Sequence, residues 1–217
     1  MELISKKTYY HIQRKQTWNV RESHFIGSEL NNYFNYFDKN GHNYEDKHSG
    51  KLFNPNYIAD CMLQYIETGY KDPSVSPFFS YDSAETIRLL RDIIWNYSRY
   101  LREILFEEVR QEFFPSYPSR KKGIWVISKK EHIPYWIKTI GATTDDSVVF
   151  EVELSGKIHE ANHTHIKLTT NSFNGIRQQA FRYWMAEDWN SNQIGDECIF
   201  EGVLKVNNMV YVKDLLL

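Results

Sequence analysis

The middle of the chain has a helical periodicity that extends over too many residues to belong to a minor element. Apolar side chains recur every three or four positions from Ile87 to Val109, and Asp82 or Ser83 can cap the start, with Glu85 in the first turn. The pattern predicts a helix of roughly 30 residues. The opposite face of this helix is expected to be mostly solvated and salt-bridged, because its residues are charged: Arg88, Arg91, Arg99, Arg102, Glu103, Glu107, Glu108 and Arg110.

The segment after this helix predicts a loop, a buried strand and the start of a second helix. Pro115 and Pro118 remove backbone donors, so no regular element should cross them, and the apolar run 124–127 predicts a strand. Pro134 suits the first turn of a helix that carries Tyr135. A polar loop and two aromatic elements are therefore expected to meet here.

Strand patterns lie near both ends of the chain. The aromatic, β-prone segment Thr8 to Gln13 is expected to form the first strand. Later strands are expected at Val148–Leu154, Ile166–Thr169, Glu197–Phe200, Val203–Val206 and Met209–Val212, with a hairpin turn at Asn207-Asn208. Because helices come early, strands come mostly late and regular βαβ alternation is missing, the sequence predicts an α+β fold.

Three further segments complete the prediction. Residues 31–57 mix Asn, Gly, Asp and aromatics without a period, which predicts a long irregular segment. Residues 58–68 have apolar positions at helical spacing and precede Gly69, which predicts a short helix that ends at the glycine. Residues 175–189 are rich in aromatics and predict a helix or turn segment.

Composition limits the classes of protein that fit. The 217 residues predict a single domain, 1–217, and the formal net charge of −2 gives no global reason to expect a nucleic-acid or membrane partner. No apolar run could span a bilayer and the first residues lack the core of a secretory signal. Cys61 and Cys198 form neither a metal-type pair nor a disulfide framework, and two buried thiols in a reducing cytoplasm are expected.

One short motif has the spacing of a zinc site. His159, Glu160 and His163 satisfy H-E-x-x-H, which on a helix places two histidines on one face for zinc and supplies a glutamate base. The motif follows a predicted strand and Ser155-Gly156, and its neighbours are weak helix formers, so a hairpin turn is the expected structure. A zinc hydrolase is therefore an alternative, and no metal is the preferred expectation.

Four further residues draw attention through their local contexts: His11 on the first strand, Trp125 and Tyr135 in the segment after the helix, and Glu197 at the start of a late strand. Taken one at a time, a strand histidine, packed aromatics and a strand glutamate are more often structural than functional. Their order along the chain, however, is that of a known set of functional residues.

The segments TYYHIQ, GIWVISKKEHIPYW and ECIFEGVLKV resemble the His-Tyr-Glu set of the ADP-ribosyltransferase superfamily of the diphtheria-toxin and poly(ADP-ribose) polymerase kind. FPSYPSR and the later FRYW are similar to a family of uncharacterised prokaryotic proteins assigned to that superfamily. The first-strand histidine is followed by Ile12-Gln13 where Gly-Thr or Gly-Ser is common, and no Glu-x-Glu or Gln-x-Glu pair ends at Glu197. Arginine-directed specificity is therefore not indicated.

The resemblance implies a split antiparallel β-sheet core with a long helix and irregular aromatic-rich insertions. It also implies that NAD is the substrate. His11 would hydrogen-bond the adenosine ribose, Tyr135 would stack on nicotinamide, and Glu197 would hold the nicotinamide-ribose 2′-hydroxyl. Trp125 and Ser128 are expected in the pocket wall, and Glu201 is the rival to Glu197 as catalytic glutamate.

The same resemblance implies an acceptor that is a macromolecule, protein or nucleic acid, and a role as a toxin or defence effector, with an antitoxin as a further partner. Arg120, Lys121 and Lys122 lie beside the expected pocket, where they are either solvated or available to a phosphate backbone. A non-catalytic interaction module of the same fold, with the aromatics of residues 31–57 as its binding surface, is the alternative of a different class.

Overall fold

The structure, a computed structural model, describes residues 1–41, 43–46, 49–143, 145–167, 172–190 and 194–215. It divides into two compact units: a sheet unit, Met1–Asn31 with Arg102–Leu217, and a helical unit, Asn32–Leu101. The expectation of one domain over residues 1–217 stays a prediction. No helix among the described ranges combines the length and the apolar character needed to cross a membrane.

Seven strands and six α-helices are assigned in the described residues. In chain order they are β1 (Glu2–Gln13), β2 (Ser23–Ile26), α1 (Asn32–Asn40), β3 (Tyr44–Glu45), β4 (Leu52–Phe53), α2 (Pro55–Thr68), α3 (Ser83–Phe113), β5 (Ile124–Val126), α4 (Ile133–Ile140), β6 (Val148–Ala161), α5 (Phe173–Trp184), β7 (Glu197–Tyr211) and α6 (Val212–Leu215). Three 3-10 helices lie between them, at Pro73–Ser80, Lys130–His132 and His163–Ile166.

The sheet unit is built on one antiparallel sheet in the order β1-β6-β7-β2, with β5 also paired to β7. Ile127, directly after β5, exchanges both backbone hydrogen bonds with Tyr10 of β1, at 2.8 and 2.9 Å. The sheet therefore curls until β5 contacts both β7 and β1. Its buried face includes Val126, Phe150 and Phe200, which belong to one apolar cluster. The predicted α+β class with an antiparallel sheet is confirmed.

The two long strands β6 and β7 differ from the prediction. They form one antiparallel ladder from Val148 opposite Tyr211 to Ala161 opposite Glu197, with one register shift between Glu151 and Val152. The predicted turn at Asn207-Asn208 is wrong, because Glu151 faces Asn208 and Val152 faces Val206, so that Asn207 is the extra residue of a bulge. The predicted turn at His159–His163 is also wrong, since β6 continues to Ala161.

The predicted strand at Ile166–Thr169 does not start as expected, because Ile166 ends a 3-10 helix. Residues 168 and 169 lie outside the described residues. Other predictions hold: the strand at 124–127, the helix that Pro134 opens and the helix within 175–189 are confirmed as β5 with its bridge, α4 and α5. Both cysteines are free and buried, as expected.

The helical unit contains α1, β3, β4, α2 and the first part of α3. Asp82 and Glu85 form a capping box at the start of α3: each carboxylate accepts the backbone N–H of the other residue, at 2.7 and 2.9 Å. The 31-residue helix is confirmed, and so is α2 with Gly69 at φ 75° behind it. Residues 31–57 are more regular than predicted, because they contain α1 and the β3–β4 pair.

Candidate functional site

Glu197 lies at the start of β7, where its backbone is opposite Ala161 of β6. Its side chain is buried, and two donors reach the same carboxylate oxygen. Arg120 donates to Oε1 in a close ion pair, and the Tyr183 hydroxyl donates to Oε1 at 2.8 Å. The other oxygen, Oε2, receives no hydrogen bond from the described residues. One oxygen of Glu197 is therefore anchored, and the second is left for another donor.

Arg120 is the centre of a buried charge cluster. Its guanidinium donates to both oxygens of Glu103, at 2.6 and 3.0 Å, and lies 5.4 Å from the Phe106 ring and 5.0 Å from the Tyr183 ring. Burial alone would lower the pKa of Arg120, but the carboxylates of Glu103 and Glu197 hold that pKa well above its ordinary value. The guanidinium stays charged and fixes both carboxylates.

Two glutamates one turn apart on α3 position this arginine and its loop. Burial would raise the pKa of Glu103, but Arg120 and Arg102 lower it to about 2. Glu107 accepts the Ser119 hydroxyl at 2.9 Å and the Arg120 backbone N–H at 3.2 Å. The predicted solvated face is therefore wrong at Glu103 and Glu107, which are buried, and the predicted exposure of Arg120 is wrong as well.

Glu201, the rival glutamate, has a local role in holding the same loop. Its Oε1 accepts the backbone N–H of Ser119 at 2.8 Å. The loop then turns tightly, with Gly123 donating to the Ser119 carbonyl at 2.7 Å, and a side chain at Gly123 would lie 2.7 Å from that oxygen. Glu201 therefore fixes the backbone in front of β5, whereas Glu197 holds the arginine side chain.

Tyr135 comes close to the start of β7 from α4. Its half-buried ring lies against Gly195, where a Cβ would be only 2.8 Å from Tyr135 Cε1. Its hydroxyl is 3.5 Å from Nε2 of His163. Burial and then Lys167 lower the pKa of His163, and the charge of Glu197 opposes them. Tyr135 and Glu197 therefore lie on two sides of one small region that includes Gly195 and His163.

Trp125 and Ser128 each contact a residue near the start of β7 or its arginine partner. Trp125 pairs with Ile199 across β5 and β7, and its ring is 5.8 Å from the Arg120 guanidinium carbon. Ser128 is half-buried and hydrogen-bonds the thiol of Cys198, whose pKa is raised well above its ordinary value, mainly by burial. The predicted wall residues are thus near Glu197, although their side chains contact its neighbours.

His11 reaches β5 through the backbone. Its Nδ1 lies 2.8 Å from the Trp125 carbonyl oxygen, so Nδ1 carries the proton and donates. Its ring stacks on Trp18 with centroids 4.9 Å apart, and Trp18 stacks on His24 at 4.7 Å. Burial lowers the pKa of His11 to about 4, against the opposing effect of the bond to Trp125. The imidazole is therefore neutral at pH 7.

The sheet places His11 and Glu197 on different faces. His11 pairs with Phe150, and Phe150 belongs to the same core cluster as Cys198. Because successive side chains of a strand point to opposite faces, Glu197 points away from the face of its neighbour Cys198. The structure thus brings Tyr135 and Glu197 together, with Trp125 beside Arg120, and connects His11 to them through β5.

The H-E-x-x-H residues do not share a helix face. His159 and Glu160 are successive strand residues, and His163 starts a 3-10 helix. His159 Nε2 donates to the Tyr183 carbonyl at 3.0 Å, whereas Glu160 accepts the Tyr9 hydroxyl at 3.3 Å on the other face. The helical geometry that a zinc hydrolase requires is missing, and within the described ranges no group of three or more such side chains could hold a metal ion.

Asp196, next to Glu197, has an unusual environment. It is buried, and neither carboxylate oxygen has a hydrogen-bond partner among the described residues. Burial, followed by the charge of Glu160, raises the pKa of Asp196 to about 6, while Lys129 opposes the shift. Burial also raises the pKa of Glu160. Two carboxyl groups therefore share the sheet face opposite Glu197 and disfavour each other's ionisation.

Two cavities lie elsewhere in the molecule. The larger, about 340 Å³, is in the helical unit and is lined by residues of α1, β3 and α3. The smaller, about 70 Å³, is in the sheet unit and is lined by Tyr10, Ile133 and Met209 among others. Neither of these two cavities is lined by Tyr135 or Glu197. The candidate site is a cluster at the start of β7, around Gly195, Glu197 and the Tyr135 ring.

Three residues of this cluster were not among the predicted site residues: Arg120 as a buried ion, Tyr183 and His163. A signal existed for Arg120, because Glu103 and Glu107 are one helical turn apart and directly precede its loop in the chain. Tyr183 lies in the FRYW segment, for which the resemblance implies no role. His163 belongs to the H-E-x-x-H motif, whose only predicted role is zinc binding.

A family model described as a protein of unknown function (DUF2441) matches residues 9–212. The match includes the strand that carries His11, the α4 residue Tyr135 and the β7 residue Glu197. No curated protein matches the chain. The comparisons thus give a family and leave the chemistry to be argued from the cluster around Arg120.

Proposed function

The chain belongs to the DUF2441 family of proteins of unknown function, and we propose that it is an NAD-dependent ADP-ribosyltransferase that modifies a macromolecule. The observation that supports the proposal is the hydrogen bonding of the Glu197 carboxylate. Arg120 and Tyr183 hold one carboxylate oxygen, and the other oxygen has no partner among the described residues. A carboxylate fixed in this way can accept a ribose hydroxyl at the free oxygen without having to reorganise.

Tyr135 supports the same assignment. Its half-buried ring lies against Gly195, two residues before Glu197, where an added Cβ would force the ring to shift. A flat ligand such as nicotinamide can stack on an aromatic ring in this position. Trp125 is proposed in the wall beside it, because its ring lies 5.8 Å from the Arg120 guanidinium carbon. Ser128 is the weaker candidate for the wall, because its partner Cys198 faces away from the Glu197 side chain.

The proposed reaction breaks the glycosidic bond between the nicotinamide nitrogen and C1′ of the ribose. The bonding pair leaves with nicotinamide, which becomes neutral, and C1′ gains the positive character of an oxocarbenium ion. An acceptor oxygen or nitrogen then forms the new bond to C1′ and loses its proton to solvent or a neighbouring base. Glu197 would stabilise the developing positive charge through the 2′-hydroxyl, and the ion pair with Arg120 holds its carboxylate in place.

For His11 the geometry favours a positioning role. Its imidazole is neutral, donates to the Trp125 carbonyl and stacks on Trp18. We therefore assign it to the alignment of β5, which carries Trp125 toward Arg120. A direct bond to the adenosine ribose, as the resemblance implies, would use the Nε2 atom.

The test is label transfer from radioactive NAD in a cell lysate, followed by digestion with protease or nuclease to identify the acceptor class. We expect the native chain to label a macromolecule and release nicotinamide. Glu197→Gln keeps the size of the side chain and removes its charge, so transfer should fall by at least about a hundredfold. Tyr135→Phe should retain most activity, whereas Tyr135→Ala should lose it, because stacking needs the ring.

Loss of folding must be separated from loss of chemistry. Glu103→Gln removes another carboxylate from Arg120 and is the matched control, since Glu103 does not face Tyr135 in the proposal. A folded Glu103→Gln variant that transfers label while a folded Glu197→Gln variant does not would support the assignment. Absence of label transfer and of nicotinamide release by the native chain would contradict the enzyme proposal. Full activity of Glu197→Gln with loss in Glu201→Gln would move the role to the rival glutamate.

The second candidate is a non-catalytic interaction module of the same fold. The observation in its favour is that Glu197 has a structural role as a partner of buried Arg120. Such a module would bind its partner equally well after Glu197→Gln and without NAD. If the chain is an enzyme, we propose that it acts in the cytoplasm, where NAD and macromolecular acceptors occur together. A neutralising antitoxin is proposed as a further partner.

A further inference from the structure

Helices α2 and α3 of the helical unit each leave one row of apolar side chains exposed. Positions within a row are three or four residues apart, so the side chains lie on one face of their helix. The α2 row consists of Ala59, Leu63 and Ile66, and the α3 row consists of Ile87, Leu90 and Ile94. The five larger side chains are 50–76% exposed, and contiguous aliphatic surface of this kind is typical of protein–protein contacts.

The rows are not the faces that build the core of the helical unit. On α2 the core residues are Ile58 and Cys61, and on α3 the core residue is Leu89; all three belong to one buried cluster. Both helices are therefore held in the unit by other faces. The two rows are additional apolar surface, which the packing of the unit does not explain.

Charged residues of opposite sign accompany the two rows. The exposed acids Asp60 and Glu67 lie beside the α2 row, and the exposed Arg88 and Arg91 lie beside the α3 row. Each of these four residues comes one position after a member of its row, so it is rotated from the row by about 100° in the same sense. Arg91 also pairs with Asp92 of its own helix, and its guanidinium has donors for a second carboxylate. The same flank is thus acidic on α2 and basic on α3.

The two rows fit each other when the helices run antiparallel. The residues that then stand opposite one another are Ile66 and Ile87, Leu63 and Leu90, and Ala59 and Ile94. The same register brings Glu67 to within two positions of Arg88, and Asp60 to within two positions of Arg91, about 3 Å along the helix axis in each case. Because equivalent flanks meet in an antiparallel pair, acids face arginines; a parallel pair would separate them.

We propose that the chain forms a homodimer in which the α2 row of each protomer packs antiparallel on the α3 row of its partner. A second copy is the fitting occupant because one chain carries both the acidic row and the basic row. A two-fold axis then gives two identical contacts and closes the pair. With about 100 Å² from each large side chain, the two contacts together would bury about 1,000 Å², the size at which specific interfaces begin. The inference does not depend on the transferase proposal.

Sedimentation velocity of the full chain measures the association. The concentration is varied from about 1 to 200 µM, because an interface at the lower size limit gives a weak pair. We expect the mass of one chain at the low end and the mass of two chains at the high end. Higher salt should weaken the pair, since opposite charges flank each contact.

Two charge-reversed variants test which rows meet. The acidic variant carries Arg88→Glu and Arg91→Glu, and the basic variant carries Asp60→Lys and Glu67→Lys. In either variant alone like charges flank both contacts, so association should weaken at least about tenfold. An equimolar mixture of the two variants has opposite charges at both contacts and should form mixed pairs with close to the native affinity.

A second set of variants tests the apolar part of the contact. Leu63→Gln places a polar amide in the middle of the contact and should weaken association at least about tenfold. Leu3→Gln is the matched control, because Leu3 is 73% exposed on β1, outside both rows. Arg177→Glu combined with Arg182→Glu on α5 makes the same charge change as the acidic variant. Both controls should associate as the native chain does, and thermal unfolding shows that every variant is folded.

Several results would overturn the proposal. The mass of a single chain at every concentration would show that the rows do not bind a second copy, and a mass that grows beyond two chains would contradict a closed pair. Undiminished association of only one charge-reversed variant would show that a row packs on its own copy. If the equimolar mixture of folded variants failed to restore association, the α2 and α3 rows would not face each other.

Discussion

Among single residues, Arg120 is the one whose environment in the fold differs most from the environment that the sequence predicts. In the sequence it is one of three consecutive basic residues in a polar loop, and such residues are usually solvated. In the fold it is 1% exposed and lies between two carboxylates. A charge buried this deeply is tolerated because each of its faces has a partner: carboxylates at the edge and aromatic rings at the face.

Replacement of Arg120 by Met tests how much the fold depends on that charge. Glu197 would then be buried without a counter-charge and Glu103 would keep only Arg102, so we expect the free energy of unfolding to fall by about 3–5 kcal/mol. Urea denaturation of the purified variant, followed by far-UV circular dichroism, measures the change.

The matched control is Arg177→Met, the same replacement at a residue whose partners Glu108 and Glu112 are exposed. An exposed ion pair contributes little, and we expect a change below about 1 kcal/mol. Similar losses for the two variants would mean that the burial of Arg120 is not what makes its pairing important.

Strands β6 and β7 are the elements that local patterns described least well. The sequence predicts four fragments and two turns where the fold has two strands of 14 and 15 residues. Gly156 and Gly202 explain the difference, since they pair directly and let the two backbones approach closely. In sequence each glycine looks like a break, because only the partner strand shows that it permits a continuous ladder.

A Gly202→Ala variant tests this close approach. Gly202 has φ of 143°, and an added Cβ would lie 2.4 Å from the Ser155 carbonyl oxygen and 2.7 Å from Gly156 Cα. Both neighbours are backbone atoms of a central strand and cannot move aside alone. We expect a loss of at least about 2–3 kcal/mol in the free energy of unfolding, measured by urea denaturation.

Gly141→Ala is the control in the same unit. Gly141 has φ of 66° behind α4, and nothing lies within 4 Å of its added Cβ. Only the backbone penalty of the left-handed conformation applies there, about 1 kcal/mol. If Gly202→Ala cost no more than Gly141→Ala, close contact between β6 and β7 would not be the reason for the glycine.

The stability of the whole molecule is expected to depend on two neutral histidines, half-buried His11 and buried His159. Burial is the first cause that lowers the pKa of His11 to about 4 and that of His159 to about 3. In the unfolded chain both imidazoles take up protons below about pH 6.5. Asp196 acts in the opposite sense, because its folded pKa of about 6 lies above the unfolded value of about 3.9.

The sign of the pH dependence follows from these shifts. Between pH 6.5 and about 4.5 the unfolded state binds protons on two histidines, whereas the folded state binds one on Asp196 only below about pH 6. The free energy of unfolding should therefore fall on acidification, by about 1 kcal/mol per pH unit. Urea denaturation between pH 7.5 and 5 measures the slope.

Nuclear magnetic resonance of the imidazole protons provides the residue-specific check. The signals of His11 and His159 should stay constant from pH 7.5 to 5, because both rings remain neutral in the folded state. Titration of either ring near pH 6.5 in folded protein would contradict the linkage argument. A His159→Gln variant should also have a shallower stability slope than the native chain over the same interval.

The sequence by itself determined the elements whose signals are local. The long helix, α2 with its terminal glycine, the strand β5 and the proline-started α4 all follow from periodicity, capping and backbone restriction, which act between residues near in sequence. It also determined the α+β class, and it selected Tyr135 and Glu197, which the fold brings to one region.

Only the tertiary structure decided what depends on distant partners. The burial of Arg120 requires Glu103 and Glu197, respectively 17 and 77 residues away in the chain. The continuity of β6 and β7 depends on Gly156 facing Gly202. The separation of His11 and Glu197 onto two faces is set by strand register. The physical reason is the same throughout: burial, charge pairing and register are properties of contacts between segments, and a local pattern contains only one side of each contact.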